Sequence, residues 1–270
     1  MRRPSVLSAG VGLAILLFGG KQASAQPSLG TAASFAVLGS STVTNTGATT
    51  VAGNLGVGPG SAITGFPPGI VVGGTIHTAD ATALQAQADA ATAYTFLAGQ
   101  PCGTTLTGQD LGGKTLTPGV YCFSTSAQLT GILTLDAQSN PNAVFIIQTG
   151  STLTTASASL VQVINGGQNC NVFWAIGSSA TLGSTTTLVG NILAVASVTL
   201  NTGARINGRA IAQNGAVTLD ANTVDASASA CPASAPVPPS TIPTLDFAGL
   251  GILVALLSVA ALLVLNRSSS

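Results

Sequence analysis

Six Thr-Leu dipeptides recur in near-constant register, at 115/116, 134/135, 152/153, 181/182, 199/200 and 218/219, with leucine spacings of 19, 18, 29, 18 and 19 residues. A short fixed period marks a chain that coils on itself, each turn stacking on the last to share one core. The outlying spacing reads as one 18-residue turn plus an 11-residue insertion. Neighbouring residues on a strand point to opposite faces. If every leucine faces inward, every preceding threonine faces water, one rung per coil.

Alignment of the later coils extends the repeat. Runs such as Phe145 to Gly150, Phe173 to Gly177, Ile192 to Ala196 and Ala210 to Gly215 each precede a Thr-Leu pair, and a third run follows each, ending near Val161, Val189, Ile206 and Val224. Three strands of about six residues per turn describe a triangular β-solenoid with coils about 4.8 Å apart. The fold class is therefore mainly β. Earlier coils are expected from Ser34 to Ile76, where strand-like runs alternate with Gly and Pro turns.

One stretch differs. Residues 79–98 are rich in Ala, Gln, Leu and Asp without Gly or Pro, and predict a single helix. Thr78 is the expected N-cap, Asp80 suits the first turn, and Gly99 with Pro101 ends it. Leu84, Ala88, Ala91, Tyr94 and Ala98 fall on one stripe, predicting a helix that lies along a sheet face.

Charge excludes whole classes of function. The chain has no Glu and one His, and between its two ends it carries only Lys114, Arg205 and Arg209 against Asp80, Asp89, Asp110, Asp136, Asp220 and Asp225, a net charge of −3. No basic stripe exists to neutralise phosphates, so no nucleic-acid partner is expected. Clustered acids and bases for catalysis are missing, which argues against a carbohydrate-active solenoid enzyme; no cofactor or metal is expected. A structural or adhesive surface protein is the remaining rival. His77 is expected to cap or pack at the helix entrance, Arg209 to stabilise neighbouring coils, and one of Phe173 and Trp174 to be core with the other shielded by the cysteine loop.

The ends read as address labels. Arg2 and Arg3, an apolar run from Val11 to Phe18 and Ala23-Ser24-Ala25 predict a signal peptide over residues 1–25, cut before Gln26. The solenoid body is expected over residues 26–225, a Pro/Ala/Ser tether over 226–241, and a membrane-spanning stretch over 247–265, followed by Arg267. Ile242-Pro243-Thr244-Leu245 before that span resembles the C-terminal sorting signal of bacterial exosortase-type systems, although Asp246 and Phe247 depart from the usual Ser-Glu-Trp form. The resemblance implies a processing protease as partner and a body exported to the envelope or released from it. Four cysteines in an exported chain suggest two disulfides with three possible pairings; Cys102 with Cys122 and Cys170 with Cys231 are favoured. No CxxC pair supports zinc.

Across residues 29–224 the chain resembles the secreted ice-binding proteins of bacteria, fungi and diatoms. The resemblance runs through Phe35 to Leu38, Val43 to Gly47, Gly53 to Val57, Pro59-Gly60, Gly65 to Gly69, His77, Leu116 to Tyr121, Val172 to Trp174 and Asn207 to Ala212. It implies a discontinuous right-handed β-solenoid with one long helix alongside and an ice crystal surface as partner; the body is expected to be monomeric. Some members carry a Thr-Ala/Gly-x-Thr/Asn pattern on the ice face; Thr46-Gly47-Ala48-Thr49 resembles it, the stretches beginning at Thr155 and Thr202 match in part, and those beginning at Ser184 and Ala221 occupy corresponding places with looser chemistry. Ice presents a flat repeating array of oxygens, and threonine supplies a hydroxyl and a methyl on a stiff side chain. The candidate ice-binding residues are Thr46, Thr49, Thr134, Thr152, Thr155, Thr181, Thr185, Thr199, Thr202, Thr218 and Thr223.

Overall fold

The computed structural model describes residues 27–229. The expected signal peptide, the tether beyond Ser229 and the apolar stretch 247–265 lie outside the described residues. Among the described residues no helix is long and apolar enough to cross a membrane.

The strands form a right-handed triangular β-solenoid. Every strand pair is parallel, and each coil contributes to three faces. One face is a separate seven-stranded sheet; the other two belong to a fifteen-stranded sheet that wraps two sides of the triangle. The wrap occurs within the long strands Thr187–Ala194 and Arg205–Ala212. Gly190 and Gly208 stand opposite each other at that corner with φ of +103° and +152°. A side chain on Gly208 would sit within contact distance of the Gly190 backbone, so the corner requires residues without Cβ.

Coil order in space differs from order in sequence. The N-terminal coils stack on the last coil of the chain: Val37 pairs with Ala210, Val43 with Val217, and Val51 with Val224. The coil at Thr104–Thr105 occupies the opposite end, so the chain must travel back along the body before the later coils begin. Nine strands separate the ends on one face, a distance of about 38 Å at ~4.8 Å per step. The helix Ala81–Ala98 has 18 residues, and at 1.5 Å per residue it covers about 27 Å of that return, leaving the rest to its flanking loops.

The helix buries Ala83, Ala86, Ala90, Ala93 and Leu97. The expected stripe is thus corrected: Leu84, Ala88, Ala91 and Ala98 are exposed and Tyr94 is half-buried. Small residues win the inward face because they let the helix axis approach a sheet already filled with Phe173, Leu193, Ile211 and Leu38. The N-cap is also corrected. Thr78 ends the strand Ile76–Thr78, and Asp80 caps the helix by accepting from the Ala83 amide at 2.8 Å.

His77 packs at the helix entrance as expected. Its ring lies 5.3 Å from that of Phe35, and Nδ1 is 2.7 Å from Asp80 Oδ2. Arg209 is buried and ties the N-terminal turn to the coils: Nε donates to the Ala33 carbonyl at 2.9 Å and Nη1 to Asn191 Oδ1 at 2.8 Å. Trp174 is core, its Nε1 donating to the Val189 carbonyl at 3.0 Å. Phe173 packs among Ala86, Ala90 and Ala93, so the helix shields it rather than a cysteine loop. Cys102 and Cys122 form the expected disulfide. Cys170 is disulfide-bonded too; its expected partner, Cys231, lies outside the described residues.

The six leucines of the Thr-Leu pairs are all buried. The threonines do not form one ladder. Thr115 and Thr134 stand opposite each other on a face of the larger sheet, whereas Thr181, Thr199 and Thr218 belong to the seven-stranded sheet. The 18-residue step from Leu135 to Leu153 crosses from one face to another instead of completing a coil. The longer spacing does contain an insertion, with the short turn Asn169–Asn171 placed between the strands Leu160–Ile164 and Val172–Ile176.

Candidate ice-contact face

The seven-stranded sheet runs, in spatial order, through Ala127–Leu129, Leu153–Thr155, Ala180–Leu182, Val198–Leu200, Val217–Asp220, Thr42–Thr46 and Ala62–Thr64. Its register places Gln128, Thr154, Thr181, Thr199, Thr218, Thr44 and Thr64 side by side. Six consecutive coils therefore present threonine at one outward position, at the ~4.8 Å repeat of stacked strands. All six are exposed or half-exposed. On one side their inward neighbours are Leu153, Ala180, Val198, Val217, Val43 and Ile63; on the other, Leu182, Leu200 and Leu219 are buried. Alternation of strand side chains fixes the threonines outward because these neighbours are committed to the core.

A second outward row runs beside the first, two residues earlier on each strand: Ser126, Thr152, Ser179, Ser197, Ala216, Thr42 and Ala62. Every member is small. Thr152 Oγ1 donates to Ser126 Oγ at 2.8 Å, while Ser179 Oγ and Ser197 Oγ accept from the amides of Ser197 and Ala216 at 3.3 Å each. These bonds run from coil to coil and hold the hydroxyls down along the surface. Neither row contains a charge. Carboxylates stand at the margins: Asp220 at the rim, opposite Thr46, where it accepts from Thr202 Oγ1, and Asp110 paired with Gln128 at the end of the central row.

The threonines expected from sequence divide accordingly. Thr181, Thr199 and Thr218 stand in the central column and Thr152 in the adjoining row. Thr46 and Thr202 are exposed at the rim, and Thr185 is exposed on a turn with φ of +57°. Thr134 lies on the second open face, where its Oγ1 accepts from Gln162 at 3.1 Å, and Thr223 lies on that face between Arg205 and Thr50.

Thr49 and Thr155 are corrected outright: both are buried. Thr49 Oγ1 accepts from the Asn222 amide at 3.0 Å, and Thr155 Oγ1 lies 2.9 Å from Thr186 Oγ1, so their hydroxyls satisfy backbone and side chains inside a corner. Sequence reasoning missed Thr44, Thr64 and Thr154, because none is followed by leucine. An apolar residue directly before each of them was the available signal, as it is for Thr181, Thr199 and Thr218.

The second open face stacks as regularly but is dressed differently. Its outward positions include Ile132, Leu160, Thr187, Arg205, Thr223, Thr50 and Ile70 in one row and Thr134, Gln162, Asn207, Asp225, Ala52 and Val72 in the next. Charged and bulky apolar residues interrupt both rows. The third face is covered by the helix. Among the described residues no three of His, Cys, Asp and Glu gather as a metal cluster.

Comparison with known proteins agrees with this architecture. The profile of the ice-binding-like family matches residues 37–225. An ice-binding protein of Nostoc sp. (strain HG1) is 55% identical over 245 residues, covering 89% of this chain and 90% of the relative. The crystal structure of an ice-binding protein from the Antarctic ascomycete Antarctomyces psychrotrophicus superposes with a TM-score of 0.72 at 41% identity, covering 74% of this chain and 98% of that one. An ice-binding protein from an Arctic yeast, described in connection with its antifreeze activity, gives a TM-score of 0.70 at 27% identity over 79% of this chain and 98% of that one. Fold, register and sequence together place the chain in the ice-binding-like family.

Proposed function

We propose that this protein binds ice through the seven-stranded face, inhibiting ice growth and recrystallisation, and that it acts as a binding protein and not as an enzyme. The observation that carries the reading is the unbroken column Thr154, Thr181, Thr199, Thr218, Thr44 and Thr64. Each rung offers one hydroxyl and one methyl on a rotamer-restricted side chain. Binding then sums many weak contacts over a surface that needs no reordering. The absence of charge in both rows matters because strongly hydrated ions would hold water in a shell unlike ice.

The leader expected over residues 1–25 and the sorting-like segment 242–270 support an exported body, attached to the envelope or released after a protease cuts its C-terminus. The solenoid body acts as a monomer in this reading. Thermal hysteresis and recrystallisation assays on the purified exported protein test it: faceted, growth-arrested crystals are expected, and normal crystal shape and growth at high protein concentration would contradict it.

A further inference from the structure

A groove of about 580 Å³ lies where the last turns of the helix meet the end coils of the solenoid. Tyr94 and Ala98 line it from the helix, Thr105 and Ser124 from the end coils, and Gln148 and Ala175 from the covered sheet. Its volume is that of a small-molecule site, for which about 300–1,000 Å³ is usual. The walls are fixed before any occupant arrives. Gln148 Nε2 donates to the Leu97 and Gln100 carbonyls at 2.7 and 2.9 Å, tying the helix end to the sheet. The Cys102–Cys122 disulfide ties the segment after the helix to the strand beside it. A site held in this way loses little freedom when it is filled.

The lining joins two chemistries. The half-buried ring of Tyr94, with Ala98 and Ala175, supplies an apolar surface, while Thr105 and Ser124 are exposed and supply hydroxyls. Thr107 Oγ1 donates to Ser124 Oγ at 3.2 Å and accepts from the Ser124 amide at 2.8 Å. The Ser124 hydroxyl therefore keeps its own proton and a lone pair for a ligand. No side chain lining the groove is charged. We propose that this groove binds a short neutral oligosaccharide, one sugar ring lying with its C–H face on Tyr94 and its hydroxyls against Thr105 and Ser124. An ionic ligand would give up its hydration with no opposite charge to meet it, and a hydrocarbon would leave the hydroxyls without partners. A peptide strand would need an open sheet edge, and the edge strand here, Thr104–Thr105, has only two residues to pair with it.

Calorimetric titration of the purified exported protein with maltotriose, cellotriose and trigalacturonic acid tests the proposal. Saturable binding of at least one neutral trisaccharide is expected, with the anionic trimer bound roughly tenfold more weakly or not at all. Tyr94→Ala should weaken the neutral sugar by about tenfold, the equivalent of ~1.4 kcal/mol. Thr105→Val, at an exposed position that keeps the side-chain shape, should weaken it severalfold with the unfolding temperature unchanged, which separates lost contact from lost folding. Thermal hysteresis should be the same in both variants, because neither residue belongs to the threonine face, and Thr199→Tyr should bind the sugar as the parent does. Absence of binding by both neutral trisaccharides at millimolar concentration overturns the proposal. Equal binding of the anionic trimer overturns the ligand class, and full binding in both Tyr94→Ala and Thr105→Val overturns the site.

Discussion

The helix-covered face and the threonine face are built from the same coils, yet they have opposite fates. On the first, outward positions carry Phe173, Ala175, Leu193, Ile211 and Leu38, and a helix of small residues buries them in a second core. On the second, outward positions carry threonine, serine and alanine and stay in water. Backbone geometry is common to both. Side chains alone decide whether a solenoid face becomes packing surface or contact surface, so substitutions should separate stability from ice activity according to the face they touch.

The largest effect is expected at Phe173→Ala, which empties a buried site under the helix and should cost about 3–5 kcal/mol of stability. Thermal or denaturant unfolding measures the loss, while hysteresis per folded molecule should be unchanged. Reducing Cys102–Cys122, which closes a 20-residue separation, should cost about 3 kcal/mol in the chain-entropy model. That disulfide joins the loop after the helix to the first long strand of the covered face, so unfolding with and without reductant should differ while the ice face is unaltered.

A smaller effect comes from pH. The Ala83 amide, together with His77, holds the Asp80 carboxyl below its ordinary value of 3.8, and the Thr31 amide, accepted at 2.6 Å, does the same for Asp89. A carboxyl depressed in the folded state contributes stability that is complete above its unfolded pKa and is lost as pH falls through the folded one. Helix stability should therefore decline below about pH 4. The threonine and serine rows contain no titrating group, so ice activity of the folded fraction should stay flat over the same range. A parallel decline in both, with the protein still folded, would break the separation of the faces.

The smallest stability effect is expected at Thr199→Ala. Its side chain is half-exposed, and unfolding should shift by about 0.5 kcal/mol or less. Its ice activity should fall all the same.

The repeat made the solenoid legible because leucines report the core wherever they occur. Leu116, Leu135, Leu153, Leu182, Leu200 and Leu219 are all buried although they come from two faces. The same logic failed for threonines, whose position depends on register. Thr134 follows Leu133 and precedes Leu135, the local pattern of a central rung, but its strand pairs on the second open face. Loop lengths between Asp136 and Phe145, and between Ile164 and Val172, shift which strand meets which, and a dipeptide cannot encode them. The helix misled for a related reason. Leu84 and Tyr94 attracted the inward assignment by size, while close packing against a filled sheet favoured Ala83, Ala86, Ala90 and Ala93. Thr49 and Thr155 matched or approached a surface motif but turned inward to satisfy polar groups at a corner.

The central claim is that contact with ice follows register on the seven-stranded sheet and not the Thr-Leu pattern itself. Thermal hysteresis of Thr199→Tyr and Thr134→Tyr, compared at equal concentration with unfolding temperatures matched to the parent protein, tests it most directly. Loss of most of the activity in Thr199→Tyr with full activity in Thr134→Tyr is predicted; full activity in Thr199→Tyr, or an equal loss in both, would contradict it.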